Sequence, residues 1–181
     1  MLFSKTDIQD VVVVELEPRR DERGFFARQW CATEFGAAGL NMALAQINTA
    51  RSSLAGTLRG MHYQAAPHAE AKLVRCTQGA IFDVAIDLRP GSPTFRRWFG
   101  TRLDAESGRM LYIPEGCAHG SLTLVPDTDL VYQASVPYAP ASAGGVRYDD
   151  PAFGIEWPRD IVVVSSQDRG WPDFPSAPTR R

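Results

Sequence analysis

Short runs of β-branched, aromatic and aliphatic residues recur along this chain, separated by Gly, Pro and Asp. They lie at Val11–Leu16, Phe25–Gln29, Leu44–Ala50, Thr57–Gln64, Leu73–Thr77, Ala80–Leu88, Thr94–Leu103, Met110–Ile113, His119–Val125 and Asp129–Ala134. Many short strands at such close spacing point to an all-β sandwich or barrel. In AIFDVAID, Phe82, Val84 and Ile86 alternate with Ile81, Asp83, Ala85 and Asp87, the period of a strand with one strongly apolar face. Helix has one good candidate, Ala32–Ala38, with Thr33 available as N-cap, Glu34 in the first turn and Gly39 to end it.

A length of 181 residues with 44% hydrophobic content is enough for one domain with a sizeable core. No repeat, low-complexity tract or internal linker interrupts it; only the tail SAPTRR reads as frayed. With 19 basic and 21 acidic residues the net charge is −2, so the chain has no overall field for nucleic acid. An anionic ligand has to be met by a few placed arginines. The opening MLFSKTDIQD and its four-valine sequel form neither a signal-peptide core nor a membrane span, and the expectation is a soluble, cytoplasmic protein. Cys31, Cys76 and Cys117 are too few and too scattered for a disulfide framework or a metal motif, which leaves core filling as their role.

GTLRGMHYQ loads a guanidinium, an imidazole, a phenol and an amide onto one strand beside two glycines. Strict alternation places His62 with Leu58, Gly60 and Gln64, and Arg59 on the other face. Both serve one cavity only if the strand bulges, which Gly60 permits; otherwise Arg59 serves a neighbouring subunit. His119, in YIPEGCAHGSL, is delivered from a turn into a strand, whereas His68 sits in a polar loop. Metal-binding barrels of this type need several converging histidines, and position 60, which would complete an HxH pair with His62, is glycine; no metal or other cofactor is expected. Lys72 shares the parity of Val74 and Cys76. It is either a strand-edge charge reaching water or an electrophile inside a cavity. Tyr132 carries a similar choice between packing and chemistry. Asp168 is either a surface aspartate or the carboxylate that orients a histidine.

Taken in order, DERGFF, QIN, TLRGMHYQ, AKLVRCTQGAIFDVAIDLRPGSPTF, YIPEGCAHGSL, LVYQASVPYAP and DDPAFGIEWP resemble the dTDP-4-dehydrorhamnose 3,5-epimerase family over almost the whole chain. The resemblance implies a metal-free cupin jelly roll over residues 1–181, a homodimer made by exchange of N-terminal strands, and a nucleotide-linked 4-keto-6-deoxy sugar as substrate, with no nucleic-acid or membrane partner. By the same resemblance His62 is the general base, Asp168 its partner, Tyr132 the acid on the other face of the sugar and Lys72 the group near the C4 oxygen. Arg23, Gln46, Ile47, Asn48, Arg59 and His119 match positions that hold nucleotide or sugar. Tyr138 matches the ring that stacks on the base, with Phe26 nearby. The sequence departs from the family pattern at Ala143 and Arg28, where glutamate is usual, and at Gln167, where a basic residue is usual.

Overall fold

The computed structural model describes residues 1–40 and 43–175, so the SAPTRR tail lies outside the described residues. Thirteen strands run in chain order: β1 (Leu2–Lys5), β2 (Val12–Glu15), β3 (Arg19–Asp21), β4 (Gly24–Phe26), β5 (Gln46–Ser52), β6 (Leu58–Gln64), β7 (Lys72–Gln78), β8 (Ala80–Asp87), β9 (Trp98–Asp104), β10 (Met110–Ile113), β11 (Cys117–Thr123), β12 (Thr128–Ala134) and β13 (Ala143–Gly145). Two short helices, α1 (Ala32–Ala37) and α2 (Ser166–Arg169), complete the set. One sheet has the order β1-β2-β10-β7-β12-β5 and faces a second of order β13-β6-β11-β8-β9; β3 and β4 form a separate hairpin. This is the jelly roll that the resemblance implies.

The alternation of each strand sorts its residues into layers. Val74, Cys76, Leu111, Ile113 and Leu130 of the first sheet meet Ile81, Ala85, Leu103 and Cys117 of the second in the inner core. Outside the first sheet, Val12, Val14, Leu73 and Met110 are covered by Phe35 and Leu40. Outside the second, Val84, Ile86 and Met61 are covered by Val146, Phe153, Trp157 and Phe174 from the chain after β13. The apolar face of β8 thus packs outward, and its Asp83 and Asp87 point to the inside of the barrel, both fully buried.

The helix starts at Ala32 as its sequence suggests, but its cap lies two residues earlier than expected. Cys31, not Thr33, is the N-cap, because Cys31 O accepts the first helical bond from Phe35 N–H. Its end is as expected: Gly39 takes φ +74°, and the Gly39 and Leu40 N–H groups close back on Gly36 and Phe35, seating the buried Leu40 under the sheet. β1, β3 and β13 carry too little apolar alternation to be read in advance, since each is a three- or four-residue strand defined by its neighbour. The 94–97 segment, read as strand, is a turn held by Arg97 N–H on Thr94 O.

Candidate active site

The inner face of the barrel is apolar at one end and polar at the other. Along β7 the same parity gives Cys76, Val74 and then Lys72; along β12 it gives Leu130 and then Tyr132. Where the side chains turn polar, a cavity of about 520 Å³ opens, lined by Arg59, His62, Lys72, His119, Tyr132 and Asp168 among others. A second lobe of about 370 Å³ shares His62, Lys72, Tyr132 and Gln167 and runs on to Gln46, Asn48, Tyr138 and Trp171.

Arg59 and His62 reach one cavity because β6 bulges. His62 stands opposite His119 and Arg59 opposite Ser121, so β6 spends one residue more than β11 over the same length. The extra residue sits at Gly60, whose φ is +129°. A Cβ there would lie 2.6 Å from Gly120 Cα and 2.8 Å from the His119 carbonyl oxygen, so only glycine fits. The freed Gly60 N–H donates to Asp168 Oδ2 at 3.3 Å.

His62 Nε2 lies 2.6 Å from Asp168 Oδ1. Asp168 is 4% exposed, yet burial is outweighed by hydrogen bonds from His62, Gly60 N–H and Ser165, and its carboxyl sits below the usual aspartate range. An ionised carboxylate accepts, so in the neutral ring Nε2 carries the proton and Nδ1 is the nitrogen with the free lone pair. Ser165, the N-cap of α2, fixes this geometry by accepting the Asp168 N–H. Tyr132 comes from the opposite sheet. Burial, helped by the nearby Glu70 and Tyr138, raises its phenol above the usual value, which keeps it protonated at neutral pH.

Sequence reasoning missed two carboxylates here. Asp83, 0% exposed, pairs through Oδ1 with His119 Nε2 at 2.8 Å, making a second His–Asp pair beside the first. Its signal was an aspartate in the middle of an otherwise apolar strand. Glu70 bonds Lys72 Nζ at 2.9 Å. Lys72 therefore points inward, where its ammonium lies 5.9 Å from the centre of the Tyr132 ring.

The remaining candidates divide by position. Gln46 accepts the Tyr138 N–H through Oε1 and donates to Asn48 Oδ1, while Asn48 Nδ2 is buried with no partner among the described residues. Tyr138 itself is exposed at the rim of the second lobe, and Ile47, one residue out of phase on β5, points to solvent. Arg59 is tied to Ser52 Oγ and Arg51 O, and among the described residues no carboxylate lies within ion-pair reach of it. Arg23 and Phe26 do not reach this cavity in their own chain. They stand on the exposed β3–β4 hairpin, with Arg23 paired to Asp21. His68 is exposed, as expected, and holds Ser142. Among the described residues no three His, Cys, Asp or Glu side chains converge as a metal would require.

The family model described as dTDP-4-dehydrorhamnose 3,5-epimerase matches residues 5–176. The chain belongs to this family. It is 39% identical over 179 residues to the dTDP-4-dehydrorhamnose 3,5-epimerase of Sinorhizobium fredii, covering 98% of this chain and 92% of that one. It is similarly 40% identical to a dTDP-4-dehydrorhamnose 3-epimerase of Streptomyces niveus, over 90% of this chain and 78% of the other. The crystal structure of the Bacillus anthracis 3,5-epimerase with TDP and pyrophosphate bound superposes with a TM-score of 0.92 at 37% identity, covering 96% of this chain and 99% of that one.

Proposed function

We propose that this epimerase acts on a dTDP-linked 4-keto-6-deoxyhexose and inverts it at C3, C5 or both through an enolate. The observation that carries the reading is the pairing of an Asp168-oriented imidazole on one sheet with a protonated phenol, Tyr132, on the sheet facing it. A 4-keto group acidifies the C–H bonds at C3 and C5. His62 Nδ1 removes such a proton, and Tyr132 returns one from the other side of the ring. Lys72, with His119 held by Asp83, stabilises the negative charge that develops on the C4 oxygen. None of these steps calls on a metal, and activity is expected to survive exhaustive chelation.

The second lobe suits the nucleotide: Tyr138 offers its ring to the base, and Gln46 and Asn48 line the way to the sugar. Arg59, lacking a carboxylate partner among the described residues, supplies forked donors for the diphosphate. Arg23 and Phe26 complete the site from a second copy of the chain. Support for this homodimer comes from the β3–β4 hairpin, which bonds to no other strand among the described residues and exposes Phe25 and Phe26, and from the open edge of β5 with its exposed Ile47. β1 pairs with β2 and β2 with β10 of the same chain, so within the 1–181 domain the hairpin is the part that is exchanged. No helix among the described residues is long and apolar enough to cross a membrane, and three free cysteines suit the reducing cytoplasm.

Proton NMR in deuterated water with dTDP-4-keto-6-deoxyglucose tests the reading. Label and inversion are read at C3 and C5 separately, which also separates a 3,5-epimerase from a 3-epimerase such as the Streptomyces niveus relative. His62→Ala should lose both exchange and inversion; exchange at the wild-type rate without His62 would remove it as the base.

A further inference from the structure

We propose that Glu70 is a positioning residue that tethers the Lys72 ammonium at the sugar end of the cavity, where it meets the keto oxygen, and keeps it from the diphosphate. The proposal rests on the functional reading above and deepens it. Lys72 is the first residue of β7, on an inner face that is otherwise apolar beyond it, and its flexible four-carbon stem has no packing reason to hold one direction. Glu70 supplies the reason. The two side chains are only 10% and 12% exposed and stand 2.9 Å apart, and among the described residues each is the other's sole ion-pair partner. A buried charge that loses its partner seeks another. Once substrate is in the site, the counter-charge within reach of a freed ammonium is the diphosphate, already the target of Arg59.

Glu70 also bears on the acid. Tyr132 is faced by Glu70 and Lys72 from β7 and the turn before it, by Asn48 from β5, by Tyr138 at the rim, and across the cavity by His62 with Asp168 and His119 with Asp83. Of the groups on its own side, Glu70 is the anion that disfavours a phenolate. One carboxylate thus keeps the lysine aimed and the tyrosine protonated.

The test is Glu70→Gln, which keeps the shape and removes the charge, with a thermal melt to check folding. Three quantities are read: kcat and KM on the keto sugar, Kd for dTDP by calorimetry, and the alkaline limb of kcat. The expectation is a roughly tenfold fall in kcat together with dTDP binding that tightens by about threefold, because Lys72 now reaches the phosphates. The alkaline limb should move to lower pH. Damage to the fold would weaken binding and turnover together, so opposite signs are the signature. In a Lys72→Ala background the added Glu70→Gln change should cost little further kcat. Unchanged kcat and Kd, a joint loss of both, or a full Glu70→Gln effect without Lys72 would each overturn the proposal. Wild-type protein that neither converts the keto sugar nor binds dTDP would instead overturn the functional reading, and this proposal with it.

Discussion

Replacing Gly60 by alanine tests whether the β6 bulge builds the site. The new methyl would stand 2.6 Å from Gly120 Cα and 2.8 Å from the His119 carbonyl oxygen, both backbone atoms that no rotamer change can clear. At φ +129° a residue with a Cβ also carries backbone strain of about 1–3 kcal/mol. Overpacking against the immovable β11 backbone adds roughly another 1–3 kcal/mol. The sum, about 2–6 kcal/mol, is a large share of the ~5–15 kcal/mol that holds a domain together. The chain relieves it most cheaply by giving up the bulge, and then Arg59 and His62 can no longer face one cavity; the Gly60 N–H bond to Asp168 goes with it. Urea unfolding should show the lowered midpoint, and C3 and C5 deuterium exchange should fall by about a hundredfold or more in the protein that remains folded. Gly36→Ala is the control: its Cβ would meet nothing and its helical position should gain about 0.5–1 kcal/mol. A Gly60→Ala protein with near wild-type stability and exchange would refute the argument.

Other expectations follow from the same geometry. Tyr132→Phe should still exchange C3 or C5 protons with deuterium while inverting roughly a hundredfold more slowly, because the proton can return only from the His62 side; unimpaired inversion would assign the acid to water or another residue. A thiol reagent at pH 8 should modify Cys31 alone in the folded protein, since burial pushes Cys76 up to about 11 and Cys117 up to about 12, whereas the Glu34 N–H lowers Cys31. Stability should fall on acidification. Burial opposes ionisation of Asp87 and Asp168, but hydrogen bonds from Arg89, Ser92 and Thr94 to the first, and from His62 to the second, hold both folded carboxyls below the unfolded 3.8. Their contribution is complete above that value and is lost as pH drops through the depressed ones, so urea midpoints measured from pH 5 downward should decline, and less steeply in Asp87→Asn.

The core strands were legible because β7, β8 and β11 are largely buried and read as apolar runs bounded by turn residues, while β12 buries one face more than the other. The strand period also put Lys72 in phase with Val74 and Cys76, leaving its direction open, and required a bulge, which Gly60 permits, before Arg59 could join His62. What alternation could not supply is the far end of each contact. Asp168 is separated from His62 by 106 residues and arrives on a four-residue helix that only Ser165 announces. Arg23 and Phe26 were legible as family positions, but their own chain leaves them on an exposed hairpin away from the cavity.

Asp83 and Asp87 show where the limit lies. Both occupy the inner face of β8, four residues apart, both are fully buried, and the sequence gives each the same apolar surroundings. Asp87 accepts from Arg89, Ser92 and Thr94, and Arg89 also reaches Asp10, so its work is to fix the turn between β8 and β9 against the N-terminal strands. Among the described residues Asp83 has one hydrogen-bond partner, His119, and its Oδ2 has none. A buried carboxylate with an unsatisfied oxygen is costly in a purely structural role. Its cost is intelligible at a site where the histidine it holds must be aimed at a substrate. Identical residues on one strand thus divide by what reaches them: Asp87 is held by the turn that follows it in sequence, whereas Asp83 meets a histidine that only the register of β8 with β11 brings beside it.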